Sequence, residues 1–464
     1  MQSSESALSP AGLSRRVVRL ALPAVGEQVL TLTVGIVNTA LVGHLSAASL
    51  TAVGLASTIT GISHILFSAV GTGATALVAQ ATGAGDRSLA NRTLAQALMV
   101  ALALGLLATA ILQPLGKSAL LLMGAEGETV PLGVGYLRYV AASLPLAALM
   151  GIGNGALRGS GDTRTPMAVM TGVNVLNLAL SYGLIRGAGP FPELGVIGAA
   201  IAATTSMSLG GLAVLVILIS GRANLVLRPI VTRPDRVLLA RLIRVGLPAG
   251  GESLLMQCAF LAYARSISSL GTVAYAAYLV AQRIESLNTM PAMGFSIAAM
   301  ALSGQAVGAG DPALARRSVF ASIRMSLGLA AICATMTFLA PRFLLARFTN
   351  DPAVIAQGIA PLRWIAFAQP TMSLAMGLAG GLRGAGDTRS VMVVTGVGAW
   401  CVRVPLAILS VTLLNFGLPG VQASMMLDWL ARAIMLAWRF RPASWFQRVA
   451  RATAELSAVG AGGQ

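Results

Sequence analysis

The chain is poor in charged residues, and the few that it carries are strongly biased toward basic ones. Only 10% of its 464 residues are charged, whereas soluble domains carry about 25%. It has two histidines and three cysteines, and none forms a catalytic constellation or has metal-ligand spacing. A nucleotide-binding loop with its lysine and hydroxyl is also missing. These absences argue against an enzyme and against an ATP-driven pump, and we expect no bound cofactor.

Apolar residues instead dominate the sequence: they make up 56% of it, and the mean hydropathy is +0.80. Runs near 20 residues recur along the chain, and each can cross a hydrocarbon core of about 30 Å as a helix. The sequence therefore predicts an all-α polytopic membrane protein with the three cysteines buried in its spans. Twelve spans are predicted, at 17–42, 52–78, 93–115, 130–153, 166–186, 195–220, 245–268, 273–302, 319–341, 354–379, 391–414 and 419–440.

The net charge of +17 follows membrane topology rather than a nucleic-acid interface. With the N-terminus placed in the cytoplasm, most basic residues fall in the segments predicted inside, as the positive-inside rule requires. An even number of spans then returns the C-terminus to the cytoplasm. We expect a bacterial-type inner membrane protein that is monomeric and binds no nucleic acid. The basic segment 221–244 is either a solvated linker or a contact for anionic lipid headgroups.

The chain repeats itself at an offset of 225 residues. GALRGSGDTRTPMAV at 155–169 matches GGLRGAGDTRSVMVV at 380–394, and ALVAQATGAGDRSLA at 76–90 matches ALSGQAVGAGDPALA at 301–315. Agreement without an insertion indicates an internal duplication. Six spans per half make the repeat parallel, and such duplication is typical of transporters. We predict an N-terminal six-helix lobe at 1–220, a cytoplasmic linker at 221–244, and a C-terminal lobe with a short tail at 245–464.

Polar side chains inside the predicted spans are candidate functional residues, because a charge at mid-bilayer costs about 2.5–3.5 kcal/mol. Glu27, Thr31 and Asn38 fall on one helical face, and Glu252 and Tyr263 lie on the matching face of the seventh span. Glu27 and Glu252 are either coupling groups or bonds to neighbouring helices. Asp428 and Arg432 at i, i+4 can neutralise each other. The remaining candidates for a cavity or an ion site are Gln28, Asn174, Asn177, Arg265, Gln282, Glu285, Asn288 and Arg403.

Three prolines and two duplicated loops are candidate moving parts. Pro23, Pro248 and Pro291 each remove a helical hydrogen bond and permit a hinge. The RGxGDTR loops supply glycines for a turn and an aspartate that can cap the next helix. They are either rigid hairpins or a gate in which the two loops pair in one state. The loop residues in question are Asp162, Arg164, Asp387 and Arg389.

Seven segments resemble the multidrug and toxic compound extrusion (MATE) transporters over essentially the whole chain. They are LALPAVGEQVL (20–30), VNTALVGHLSAASLTAVGLA (37–56), VAQATGAGD (78–86), LRGSGDTRTP (157–166), GLPAGGESLL (246–255), AQRIESLNTMP (281–291) and LRGAGDTR (382–389). The resemblance implies two six-helix lobes in a V around a central cavity. It also implies export of amphipathic, often cationic compounds in exchange for H⁺ or Na⁺.

The chain departs from the family pattern at two positions. Many relatives carry aspartate where Asn38 stands, and one branch has an acidic group in the tenth span, which here offers Gln369. Asparagine and glutamine cannot titrate, so Glu27, Glu252 and Glu285 are the substitutes that we infer. A lipid-linked precursor flippase of related architecture remains an alternative, and a passive channel is a further one.

Overall fold

The computed structural model describes residues 10–188, 191–227, 234–442, 445–447, 449–450 and 454. Within these residues the chain is helical, and no strand occurs. Most of the predicted C-terminal tail lies outside the described residues. The elements are α1 (Pro10–Gly43), α2 (Ala47–Gly83), α3 (Arg87–Leu122), α4 (Thr129–Gly159), α5 (Arg164–Arg186), α6 (Gly195–Ser220), α7 (Arg236–Ser268), α8 (Thr272–Gly308), α9 (Pro312–Leu339), α10 (Pro341–Ala346), α11 (Pro352–Gly384), α12 (Thr388–Val397), a π-helical segment (Gly398–Arg403), α13 (Val404–Thr412) and α14 (Gly417–Arg439).

Twelve long helical segments of the described chain match the twelve predicted spans, once α12, the π-helical segment and α13 are taken together. Ten of them are long and apolar enough to cross a membrane. The other two, α7 and α14, carry ionisable groups near their middle, Glu252 in α7 and Asp428 with Arg432 in α14. These side chains lower the mean hydropathy of an otherwise apolar helix. The prediction of an all-α membrane protein is confirmed.

The prediction that the cysteines are buried is wrong for two of the three. Cys258 and Cys401 are exposed on the helix surfaces, and Cys333 is partly exposed. A membrane protein does not need to hide its apolar side chains, because lipid tails are as apolar as the side chains themselves. Burial therefore does not follow from apolar character in these spans.

The chain forms two compact units, and both boundaries fall inside long helices. The C-terminal unit comprises Met1–Val25, Gly83–Gly85 and Gly251–Gln464, and the N-terminal unit comprises Gly26–Thr82 and Asp86–Gly250, as far as these ranges are described. Helix α1 thus contributes its first part to the C-terminal unit, and α7 contributes its first part to the N-terminal unit. Each helix passes from one unit to the other two residues after its proline, Pro23 or Pro248.

Contacts within each unit hold the first parts of α1 and α7 in place. In the C-terminal unit, Leu13, Val17 and Leu20 of α1 form a buried core with Phe295 and Leu302 of α8. In the N-terminal unit, the segment that opens α7 is held by polar bonds. There the backbone N–H of Asp235 donates to Gln96 Oε1 at 3.1 Å, and Arg241 Nη2 donates to Gln80 Oε1 at 3.2 Å.

Small residues allow close backbone approach where these first parts end. A Cβ placed on Gly294 in the C-terminal unit would collide with Val25. The offset of 225 residues relates this contact to Ala69 and Gly250 in the N-terminal unit. There a Cβ on Gly250 would meet the Cβ of Ala69 at 3.0 Å. Each pair therefore combines one glycine with one larger residue. The glycine belongs to α8 in the C-terminal unit and to α7 in the N-terminal unit, so the repeat places it on opposite sides of the two contacts.

Candidate functional sites

The glutamate of α1 is bound within the N-terminal unit. Glu27 is the second residue after the unit boundary, and its Oε1 accepts a hydrogen bond from Arg158 Nη2 at 2.8 Å. Arg158 lies in the last turn of α4, at the start of the duplicated loop. The carboxylate therefore joins α1 to α4 at the point where α1 enters this unit.

The C-terminal unit contains the same bond at the position that the repeat predicts. Glu252 follows the second boundary, and its Oε1 accepts from Arg383 Nη2 at 2.6 Å. It also accepts from the hydroxyl of Thr395 in α12 at 3.0 Å. The offset of 225 residues relates Arg158 to Arg383, so both copies of the repeat preserve the whole pair.

Sequence reasoning missed both arginines, although a signal for them exists. Each is the first arginine of its RGxGDTR motif, at 158 or 383, and only the second arginine was considered. The glutamates and these arginines repeat together at the same offset, as expected of a pair that was duplicated as a unit. Glu27 and Glu252 were predicted to be either coupling groups or bonds to neighbouring helices. The structure contains the bond to a neighbouring helix in both cases, and a coupling role stays a prediction.

A second group of charges is confined to the C-terminal unit. Asp428 of α14 is fully buried and accepts from Arg432 Nε at 2.6 Å and from its Nη2 at 2.8 Å. The Nε of Arg403 lies 2.8 Å from the other side of the same carboxylate, at Oδ2. The side chains of Arg403 and Arg432 are only 8% and 4% exposed. Two buried guanidinium groups therefore share one carboxylate.

The π-helical segment positions this group. Such segments insert one extra residue per turn and are frequent at functional sites, and this one ends at Arg403. Gly398 begins it, and a Cβ there would collide with Asp428 Oδ1 and press on Arg432. The segment thus brings Arg403 to Asp428 while the bare backbone of Gly398 leaves room for the ion pair.

Aromatic rings enclose the two arginines. The guanidinium carbon of Arg403 lies 5.8 Å from the Tyr263 ring centroid and 5.9 Å from that of Trp429, and Arg432 lies 4.9 Å from Trp429. These distances suit cation–π attraction. The buried Tyr263 hydroxyl donates to the Val421 carbonyl at 2.9 Å and contacts Gln422 Oε1 at 3.3 Å, which fixes the ring.

Glu285 of α8 borders this aromatic group and differs from the other carboxylates of the spans. It forms no ion pair within the described residues, and it stands in the electrostatic field of Arg403. Its surroundings include the partly exposed Gln282, whose Nε2 donates to Tyr278 Oη at 3.3 Å. Of the candidate acids Glu27, Glu252, Glu285 and Asp428, only Glu285 has a carboxylate without an arginine partner in this part of the chain.

The N-terminal unit has a neutral polar group in place of charges. Asn38 Nδ2 donates to Asn177 Oδ1 at 2.6 Å, which joins α1 to α5. Asn38 Oδ1 and Asn174 Nδ2 are buried atoms without a hydrogen-bond partner in the described structure. Asn38 and Asn177 thus come together, and Asn174 lies about one turn before Asn177 on α5. Such amides can bind polar ligand atoms but cannot exchange a proton.

The other candidates form no shared cluster within the described contacts. The Thr31 hydroxyl donates to the Glu27 carbonyl at 2.8 Å, Asn288 Nδ2 donates to the Thr337 hydroxyl at 3.1 Å, and Arg265 is exposed. Gln28 is partly buried on α1 and Gln369 is buried in α11. Helices α1, α7 and α8 continue through Pro23, Pro248 and Pro291, so hinge motion at these positions stays a prediction.

In the duplicated loops the aspartates cap the helices that follow. Asp162 Oδ1 accepts from the N–H groups of Arg164 and Thr165 at 3.1 and 3.0 Å, and Asp387 accepts from the Ser390 N–H at 3.1 Å. This is the capping geometry that the loop sequences predict. The alternative, a gate that also uses Arg389, stays a prediction.

Comparison with known proteins identifies the family. The family model MatE matches residues 23–183 and again residues 248–409, which are the two copies of the repeat. The chain belongs to the MatE family. The probable multidrug resistance protein NorM of Thermotoga maritima is 32% identical over 441 residues, covering 94% of each chain. Multidrug resistance protein PmpM of Pseudomonas aeruginosa is 30% identical over 395 residues, covering 84% of this chain and 83% of that protein.

Solved structures of the family share the fold. A crystal structure of MATE in complex with MaL6 superposes with a TM-score of 0.87 at 24% identity and covers 96% of this chain and 97% of its own. The resemblance inferred from the sequence motifs is thereby confirmed. As a MatE protein, the chain is a multi-pass membrane transporter of the MATE fold.

Proposed function

We propose that this protein is a secondary active multidrug efflux transporter of a bacterial inner membrane. It exports amphipathic, often cationic compounds in exchange for H⁺ or Na⁺ and acts as a monomer with both termini in the cytoplasm. Substrate is exposed alternately to the two sides of the membrane as the two six-helix halves move. The names of the NorM and PmpM relatives support the class of substrate.

The main support for the coupling step is that the carboxylate of Glu285 has no ion-pair partner within the described residues. Glu27, Glu252 and Asp428 already bind arginines at 2.6–2.8 Å, so their negative charge is balanced in place. Glu285 has no such partner within the described residues. A carboxylate with this freedom can bind a proton, a sodium ion or a cationic substrate, and these compete for it. We therefore assign coupling to Glu285.

The neutral amides of the N-terminal unit support the same assignment. Asn38 and Asn177 donate and accept one hydrogen bond between them at 2.6 Å, and neither can take up a proton. Ion exchange through this group would need a carboxylate, which α1 offers only at Glu27, already bound to Arg158. The N-terminal group is better suited to hold uncharged polar atoms of a substrate.

The driving force is sufficient for export. One elementary charge that crosses 100 mV supplies about 2.3 kcal/mol, which supports roughly a fifty-fold concentration ratio of a neutral substrate. A pH gradient adds about 1.4 kcal/mol per unit for each proton. The exchange of one proton for one neutral substrate molecule therefore draws on both terms, whereas one-for-one exchange with a singly charged cation moves no net charge and draws on the pH gradient alone.

The test uses purified protein in liposomes loaded with a fluorescent lipophilic cation, under either a pH gradient or a sodium gradient. We expect gradient-driven dye movement in the unaltered protein and its loss in Glu285→Gln. Glu27→Gln and Glu252→Gln serve as comparisons, because each removes one carboxylate of the same kind. Loss of coupling in either of these variants, with coupling retained in Glu285→Gln, would contradict the assignment. No movement under any gradient would favour the flippase alternative.

A further inference from the structure

Each half of the chain carries an exposed arginine on one of its long spans. Arg138 of α4 and Arg363 of α11 are related by the offset of 225 residues, and both side chains are exposed. Neither forms an ion pair within the described residues. A charged group exposed on a membrane span is costly unless it reaches water or an anion, so both arginines require such a partner.

The surfaces around the two arginines are apolar and exposed, as expected of a face that contacts lipid. Helix α3 packs on α4, and α9 packs on α11. Leu107 and Ile111 of α3 are 55% and 46% exposed, and Ile332 and Met336 of α9 are 61% and 56% exposed. The same offset relates these two pairs. Exposed apolar residues in succession on a long apolar span mark a membrane contact.

A repeat-related residue of the neighbouring helix contacts each arginine. Gln113 of α3 donates from Nε2 to the Arg138 carbonyl at 2.9 Å. Its counterpart in the second copy is Phe338 of α9, and the guanidinium carbon of Arg363 lies 5.5 Å from the centroid of that ring. Each arginine is therefore placed beside the packed pair of helices, α3 with α4 or α9 with α11, at an equivalent level of the repeat.

The arginines lie at a level from which they reach lipid headgroups. Helices α4 and α11 have 31 and 33 residues, or about 46 and 50 Å, so both extend beyond a hydrocarbon core of about 30 Å. Arg138 and Arg363 lie about three turns after the beginning of their helix, and a long arginine side chain snorkels from there to the phosphates. Tyr139 and Trp364, which follow them directly, are residue types enriched at the membrane–water interface.

A second basic residue accompanies each arginine at the same offset. Lys117 is exposed on α3 one turn after Gln113, and helical side chains lean toward the N-terminus of their helix, which directs the lysine toward Gln113 and Arg138. Its counterpart is Arg342, which is exposed in α10 just after the end of α9. Neither forms an ion pair within the described residues. Each surface thus offers two positive charges to a phosphate group.

We propose that these two surfaces, Arg138 with Lys117 and Arg363 with Arg342, are binding sites for an anionic phospholipid. The basic residues bind the headgroup phosphate, and the acyl chains lie along the exposed apolar residues of α3 or α9. The predicted topology places both surfaces outside, where the positive-inside rule leaves few basic residues, and lipid binding gives these residues a role there. The inference depends on the membrane location alone and not on the exported compound or the coupling ion.

The test measures lipid binding to the detergent-solubilised protein by native mass spectrometry. Dioleoyl phosphatidylglycerol is compared with dioleoyl phosphatidylcholine, which has the same acyl chains and a phosphate but no net charge. We expect two molecules of phosphatidylglycerol to bind at least about fivefold more tightly than phosphatidylcholine. Arg138→Gln and Arg363→Gln should each raise the Kd of one of these two molecules roughly fivefold. The double variant should leave little difference between the two lipids.

Arg186→Gln is the matched control. It removes an exposed arginine in the last turn of α5, whose guanidinium carbon lies 5.6 Å from the Tyr182 ring centroid. The repeat counterpart of Arg186 is Val411, so this position is not part of a duplicated site, and we expect the Kd of either lipid to change less than about twofold. Arg363→Lys keeps the charge and should retain most of the preference, which separates loss of charge from a folding defect.

Any of four results would overturn the proposal. Equal binding of the two lipids to the unaltered protein would mean that neither surface selects an anionic headgroup. A preference that survives in the double variant would place lipid binding elsewhere. The same loss in Arg186→Gln as in Arg363→Gln would mean that exposed arginines attract lipid without a formed site. Displacement of phosphatidylglycerol by an equal concentration of glycerol 1-phosphate would mean that the sites bind a free anion rather than a lipid.

Discussion

The repeat-related ion pairs Glu27–Arg158 and Glu252–Arg383 allow a quantitative test of their coupling energy, in which one copy of the repeat is the control for the other. In the C-terminal unit the side chains of Arg383 and Glu252 are 24% and 13% exposed and 2.6 Å apart. Removal of one partner of a fully buried pair costs about 3–5 kcal/mol, and an exposed pair contributes about 0–1 kcal/mol. For this partly buried pair we expect a coupling energy of about 2 kcal/mol.

The assay is a double-mutant cycle with Glu252→Gln, Arg383→Gln and the double variant, read as thermal unfolding of the solubilised protein. Each single change should lower the Tm by roughly 5 °C, at about 2–4 °C per kcal/mol. The double variant should lower it by much less than the sum, because neither partner is then left alone. The exchange Glu252→Arg with Arg383→Glu should recover part of the loss.

The N-terminal pair supplies the matched comparison. Its bond is 2.8 Å and its exposures are 8% and 21% for Glu27 and Arg158, so its coupling should be similar. Glu252 additionally accepts from Thr395 at 3.0 Å, whereas the repeat places Met170 at that position in the N-terminal unit. Glu252→Gln should therefore lower the free energy of unfolding by about 1 kcal/mol more than Glu27→Gln does. Coupling energies below about 0.5 kcal/mol in both copies would refute the reasoning, since the pairs would then behave as solvated surface pairs.

Two further predictions concern the contacts of α1. Asn38→Asp places a carboxylate against Asn177 Oδ1, so we expect transport to acquire an additional pH-dependent component that the unaltered protein lacks; an unchanged pH profile of dye efflux would contradict this. Gly294→Ala forces a methyl group against Val25, and overpacking of this kind costs about 1–3 kcal/mol. Adding Val25→Gly should restore the Tm, because it reproduces the arrangement of the repeat-related contact, and a failure of this rescue would show that the clash is relieved elsewhere.

The sequence predicts the architecture well because membrane helices obey simple rules. Apolar runs are visible in the local composition of the chain, and the repeat requires only an alignment of the chain with itself. The orientation inferred from the positive-inside bias stays a prediction. The passage of α1 and α7 from one compact unit to the other could not be predicted from the sequence. That passage depends on which helices Leu13 and Arg241 contact, and a periodic sequence does not encode those partners.

The candidate sites were predicted in part, and the misses have a common cause. The residues Glu27, Glu252, Glu285, Arg403 and Asp428 were singled out because they are charged within spans. Which of them pair could not be derived, since Arg158 and Arg383 lie at helix ends, where a basic residue is common in a membrane protein. The contribution of Arg403 to the Asp428 group depends on a π-helical turn, and a local change of helical pitch has no reliable pattern in a single sequence.

Comparison of the two halves separates charged residues that both copies share from charged residues that only the second copy has. The Glu–Arg pairs occupy equivalent positions in both copies, next to the residues where α1 and α7 change units. A role required in both halves explains why both pairs are present, and fixing α1 and α7 where each enters its second unit is such a role. The Asp428 group with Arg403 and Arg432 belongs to the second half, and the repeat partner of Asp428 is Ala203, an uncharged residue. The buried carboxylate at this position has no counterpart in the other copy, and for this reason we propose that the C-terminal half selects charged substrates.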